Sequence, residues 1–168
     1  MDKCNKAGLS EEQVDKIRQI PNGEKEEPLN YLEKNYIDNH LDKFRDTGCY
    51  KIISDKLGEP KGTIGEDGVF VLSGQEMNQL LKDANGDPRK LEESLSMQKG
   101  YLGDNPYLIR ADDPQNLRMS TGNEPNAWQN EWCPCGTTRG GCDEAVTDSM
   151  ESGDYSFKHC FSAEDWRR

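Results

Sequence analysis

The sequence predicts an α+β fold in which N-terminal helices pack on a mostly antiparallel sheet. Three observations predict it: apolar residues recur at helical steps up to about residue 45, short apolar bursts with strand alternation follow residue 48, and Gly- or Pro-bearing turns separate those bursts. The first helix spans 9–20, where Ser10 can cap it, Glu11 and Glu12 suit the positive end of its dipole, and Val14, Ile17 and Ile20 form a narrow apolar stripe. Pro21-Asn22-Gly23 breaks it, and the charged run Glu24 to Glu27 reads as a linker. The second helix spans 28–45, with Pro28 in its first turn and Leu29, Leu32, Tyr36, Ile37, His40, Leu41 and Phe44 on one face. Strands are expected at 49–53 and 68–72. Ser73 to Glu76 has capping-box spacing for a helix over 74–84, and Asp87-Pro88 starts another reaching about Ser96. Further strands are expected at 107–111, 116–119, 144–148 and 155–161, leaving 120–142 as a long, Gly-rich, polar loop. The domain division is an N-terminal helix and charged linker over 1–27, then a single α+β domain over 28–168.

The chain has 168 residues and a net charge of -11. Leu, Ile, Val and Phe make up about 17% of it, below the rough 20% at which disorder becomes a serious alternative. The longest apolar run is Val69 to Leu72, far short of the roughly 18 to 20 residues of a membrane span. Met1 to Ser10 has no apolar signal-peptide core. The acidic balance argues against a cationic nucleic-acid wrapper. Six cysteines, at 4, 49, 133, 135, 142 and 160, leave disulfides and reduced thiols both open.

Chemistry-bearing residues concentrate in Ser120 to Glu124 and Trp132 to Glu144. Glycines there allow backbone to approach a ligand closely, while Asn, Thr and Glu supply directional polar groups. Zinc on Cys133, Cys135, Cys142 and either His159 or Cys160 is disfavoured, because paired zinc cysteines usually have two intervening residues, here one. Alternation also sends His159 and Cys160 to opposite faces and sets His159 beside Tyr155, Phe157 and Phe161 as a core histidine. No metal is expected.

The run Gly122-Asn123-Glu124, then Trp132, Pro134, Gly136, Thr138, Gly140, Gly141, Glu144, Ala145 and Val146, resembles the C-terminal effector domains of bacterial polymorphic toxins, which end long secreted proteins of the Rhs-repeat or filamentous-haemagglutinin kind. The chain departs from that pattern at Thr121, at Asn126-Ala127-Trp128, at Cys135 and at Arg139. Tyr36 to Phe44 and Gly68 to Val71 are similar to such modules as well. The resemblance implies secretion as the tail of a larger protein, action in the cytoplasm of a target cell, a cognate immunity protein as partner, an intracellular protein or RNA target, and no membrane partner. It also implies that Cys133, Cys135 and Cys142 are dispensable for activity.

Its leading implication for chemistry is ADP-ribosyl transfer with NAD as co-substrate. Arg110, Ser120 and Glu144 stand in the order such an enzyme needs, although too closely spaced; His40 or Lys51, then Ser73, then Glu144, is the better-spaced alternative. A ribonuclease in which His40 acts with Thr138 or Glu144 is the second reading, and a non-catalytic acidic binder such as an immunity protein is the third. In either enzyme Asn123, Glu124, Thr138 and Glu144 are expected to share one cleft, roofed by Trp132 and floored by Gly140 and Gly141.

Overall fold

The computed structural model describes residues 2–128 and 131–168. Its elements are, in order, α1 (Asp2–Lys6), α2 (Glu11–Gln19), a 3-10 turn (Pro28–Asn30), α3 (Lys34–Thr47), β1 (Cys49–Ile53), β2 (Val69–Ser73), α4 (Gly74–Ala84), α5 (Pro88–Ser94), β3 (Tyr107–Ala111), β4 (Trp132–Cys133), β5 (Thr137–Thr138), β6 (Glu144–Thr147) and β7 (Tyr155–His159). Five strands form one antiparallel sheet in the order β6-β2-β1-β3-β7, and β4 pairs with β5 as a separate hairpin. The α+β expectation holds. No helix among the described residues is long and apolar enough to cross a membrane.

The sheet separates two apolar layers, because alternate residues of each strand point to opposite faces. Cys49, Val71, Ile109, Ala145 and Phe157 join the larger core, which takes in Cys4, Ala7, Leu9 and Val14 from the N-terminal arm and Leu41 and Phe44 from α3. Ile52, Leu72 and Leu108 face the other way, against Met77, Leu80, Leu91 and Leu95 of the α4–α5 side. A chain so poor in large aliphatics thus fills two thin layers by using both faces of one sheet.

Several boundaries differ from the sequence reading, each for a physical reason. The helix expected over 28–45 begins only at Lys34: Pro28–Asn30 forms a 3-10 turn, and Leu29, assigned there to the apolar face, is 64% exposed. The strand expected at 116–119 reduces to one bridge, Arg118 to Val146, made on the outer edge of β6. The last strand ends at His159, so Phe161 leaves the face shared by Tyr155 and Phe157 and packs with the α4–α5 layer. His159 is half-buried, its ring 4.2 Å from that of Tyr107. Arg167 returns to pair with Phe157 on the free edge of β7. The long loop over 120–142 contains the β4–β5 hairpin, with Gln129 and Asn130 outside the described residues.

Candidate functional site

The segment from Gly122 to Glu144 is built on ties to the N-terminal arm. Asn123 Oδ1 accepts from the backbone of Gly23 (2.8 Å) and Lys25 (3.0 Å), and its amide donates to the Lys25 carbonyl (2.9 Å). Asn22 donates to the carbonyls of Gly122 (3.2 Å) and Glu124 (2.9 Å). Glu124 caps its own turn by accepting from Thr121 N (2.7 Å) and Gly122 N (2.9 Å). Trp132 is buried and donates its indole N–H to Ser120 Oγ (2.6 Å), with the Lys25 ammonium 5.6 Å from its ring centroid. Cys4 and Cys135 form a disulfide. Cys49, Cys133 and Cys160 are buried free thiols, and Cys142 is a half-buried one. Among the described residues no three His, Cys, Asp or Glu side chains gather to hold a metal.

Beyond the hairpin the chain turns back to β6. Thr138 Oγ1 accepts from Cys142 N (3.1 Å), closing a turn in which Gly141 takes a φ of 92°. Gly140 is needed for packing: a Cβ there would lie 2.6 Å from the Ser94 carbonyl oxygen. A Cβ on Gly136 would lie 2.8 Å from His40 Nε2, which holds α3 against the hairpin. Gly136 and Gly140 are thus fixed by close packing, whereas Gly141 borders open space and is fixed by its positive φ.

Asp143 and Glu144 then stand side by side in very different environments. Asp143 receives Lys3 Nζ (3.0 Å) and Lys43 Nζ (3.0 Å), while its backbone N–H donates to Glu76 Oε1 (2.7 Å). Burial works against its ionisation, but the bonds from Lys43 and Lys3 outweigh this and hold the carboxyl below its ordinary range. Lys3, Lys43, Glu76 and Asp143 line a polar cup of about 290 Å³ at the start of α4, together with Ser73 and Gln75. Glu144 is 8% exposed, and its side chain accepts no hydrogen bond among the described residues. Burial pushes its carboxyl up to about 8; the charge of Lys51 opposes the rise, and the carboxylates of Glu124 and Glu131 add to it. Lys51, on β1, is in turn lowered by burial and supported by Glu144.

His40 secures Glu144 from behind. It is buried, its Nε2–H donates to the Glu144 carbonyl (2.8 Å), and its Nδ1 is 4.0 Å from Asp143 Oδ1. Burial lowers its pKa, so the ring is neutral near pH 7. This places His40 at the backbone of Glu144, where it holds the start of β6. Arg110 is occupied elsewhere: it pairs with Asp112 (3.1 Å), donates to Ser156 Oγ (3.4 Å) and stacks 4.3 Å from the Trp166 centroid. Of the expected site residues, then, His40 comes within hydrogen-bonding reach of Glu144 and Glu124 within electrostatic reach of it. Asn123 ties the loop to the N-terminal arm and Gly140 packs it against Ser94; Ser120, Thr138 and Gly141 serve the loop itself, and Trp132 is buried.

Asp143, Lys3 and Lys43 were not singled out by sequence, and their only signal was their charge. Lys51 had a stronger one, a lysine inside the apolar strand Cys49–Ile53. No family model matches the chain, and no curated protein matches it.

Proposed function

We propose that the chain is a toxin effector domain of the polymorphic kind and that its chemistry is proton transfer by Glu144. One observation carries the reading: Glu144, within the segment that bears the resemblance, is a largely buried carboxyl with no side-chain hydrogen bond among the described residues, raised to about 8 and set electrostatically against the half-buried Lys51. A carboxyl with such a pKa is a general acid at neutral pH, and positioned proton transfer contributes roughly 10²- to 10⁴-fold to rates. Structural carboxylates are held by donors, whereas unpartnered and strongly shifted ones mark functional positions.

RNA cleavage through the neighbouring 2′-hydroxyl fits this group best, since that reaction needs proton movement and no cofactor. The 2′-oxygen attacks phosphorus, the bond from phosphorus to the 5′-oxygen breaks, Glu144 protonates the leaving oxygen, and the 2′-hydroxyl proton passes to solvent. ADP-ribosyl transfer from NAD is the second reading. The net charge of -11, which repels a polyanion more than a dinucleotide, favours it. It requires an ionised Glu144, the form that Lys51 supports.

The test expresses wild type and Glu144→Gln in a bacterial host and follows growth, tRNA integrity and cellular NAD. The expected outcome is toxicity with tRNA cleavage for wild type, at least a hundredfold loss for the variant, and cleavage that falls above about pH 8. NAD loss with intact tRNA selects the second reading. Growth unaffected by wild type, or a fully toxic Glu144→Gln, discards the Glu144 enzyme.

A further inference from the structure

We propose that residues 2–25 form a disulfide-latched cover over residues 122–128 and 131–143, shut while Cys4 and Cys135 are joined and released when a dithiol reductant parts them. The polar and covalent ties between arm and segment run along the length of both. Lys3 meets Asp143, Cys4 is bonded to Cys135, Asn22 holds Gly122 and Glu124, Gly23 and Lys25 hold Asn123, and Lys25 lies over Trp132. α2 lies against β4 of the same segment. The disulfide is the one covalent tie, and it bridges a sequence separation of 131 residues. The polar ties near it are modest, since α1 is a single turn of five residues and the Lys3 side chain that pairs with Asp143 is 40% exposed; the apolar ties are Ala7, Leu9 and Val14, which enter the larger core. Opening would free one wall of the polar cup, since Lys3 lines it.

Cys4 and Cys135 are 1% and 0% exposed, so a reductant reaches the bond only when α1 lifts. A thiolate of the dithiol then attacks one sulfur, a mixed disulfide forms, and the other cysteine leaves as a thiolate. The second thiol of the reductant displaces the remaining protein sulfur. Two electrons pass to the protein, the two thiol hydrogens end on Cys4 and Cys135, and the reductant departs as a cyclic disulfide. A chain folded under oxidising conditions would be covered, and the same chain in a reducing cytosol would open.

The latch stands on the bonds to the arm, and only its consequence for activity rests on the reading of Glu144. Hydrogen exchange on the full chain tests it, comparing oxidised protein, protein reduced with dithiothreitol, and Cys4→Ser. Exchange at Gly23, Lys25 and α2 is expected to rise at least tenfold in the latter two, with Ile109 and Phe157 in the central sheet unchanged, and iodoacetamide is expected to label Cys4 and Cys135 of the reduced, folded protein. Arm protection unchanged within twofold after reduction overturns the latch. So does loss of protection throughout the sheet, because the bond then holds the whole fold rather than a cover. Arm opening without tRNA cleavage or NAD loss sustains the latch and counts against the Glu144 reading alone.

Discussion

Glu92 and Glu144 are both buried glutamates, and the chain treats them in opposite ways. Glu92, 1% exposed, accepts from Gly100 N and Leu102 N, each at 2.8 Å, and pairs with Arg89 Nε at 2.9 Å. Those three contacts fasten the turn after α5 to the helix. Glu144 is 8% exposed and has none of them; its surroundings are a partly balancing lysine and two further carboxylates. The same side chain is therefore a clamp at one position and an acid without such donors at the other. Burial alone does not separate structure from function, but the supply of donors does.

The largest expected effect strikes the clamp. Glu92→Ala leaves two backbone N–H groups without their acceptor and the Arg89 guanidinium, which still donates to the Gly103 carbonyl, without its paired carboxylate; breaking a buried pair of this kind costs about 3–5 kcal/mol. Urea unfolding should show that loss, while the variant that remains folded keeps in full the activity proposed for Glu144. A loss of activity at unchanged stability would erase the contrast between the two glutamates.

Glu144 should show the reverse pattern. Its folded pKa, about 8, lies above its ordinary 4.5, so the folded state binds the extra proton between those values. Its contribution to stability is complete below pH 4.5 and is lost as pH rises towards 8, amounting to roughly 3–5 kcal/mol by linkage. Glu144→Gln should remove that decline, so that thermal unfolding at pH 5 and pH 8 differs less for the variant than for wild type. Equal pH dependence in the two proteins would mean that Glu144 is ionised and solvated.

Arg110 gives the smallest effect and sharpens the assignment. Arg110→Met breaks a half-exposed pair with Asp112 and a stack on Trp166, which should cost about 1 kcal/mol in chemical denaturation and leave activity unchanged. A hundredfold activity loss there would restore it to the catalytic set.

Much of the fold was legible because it depends on local pattern. Ser10 caps α2, Ser73 caps α4, and Asp87 caps α5 where the sequence placed them. What failed did so where distant partners compete. The capping box expected at Ser73 and Glu76 is only half made, since the Glu76 carboxylate accepts from Asp143 N, 67 residues away. The link between Cys4 and Cys135 was equally invisible, because spacing does not specify which cysteines join. At the candidate site the glycine-rich run was readable, but its purpose was not. Asn123 and Glu124 look like ligand-binding side chains until the N-terminal linker is seen to occupy one and a tight turn the other.

Arg118 bridges Val146 and Arg167 bridges Phe157, so each outer strand of the five-stranded sheet ends against an arginine. Unpaired strand edges are templates on which another molecule can add a strand, and bulky charged residues blunt them. Arg118 is further fixed by Asp148 (3.0 Å) and Arg167 by Glu164 (3.3 Å), which keeps both guards in place. With a strongly acidic chain adding mutual repulsion, the domain should resist edge-to-edge aggregation at high concentration.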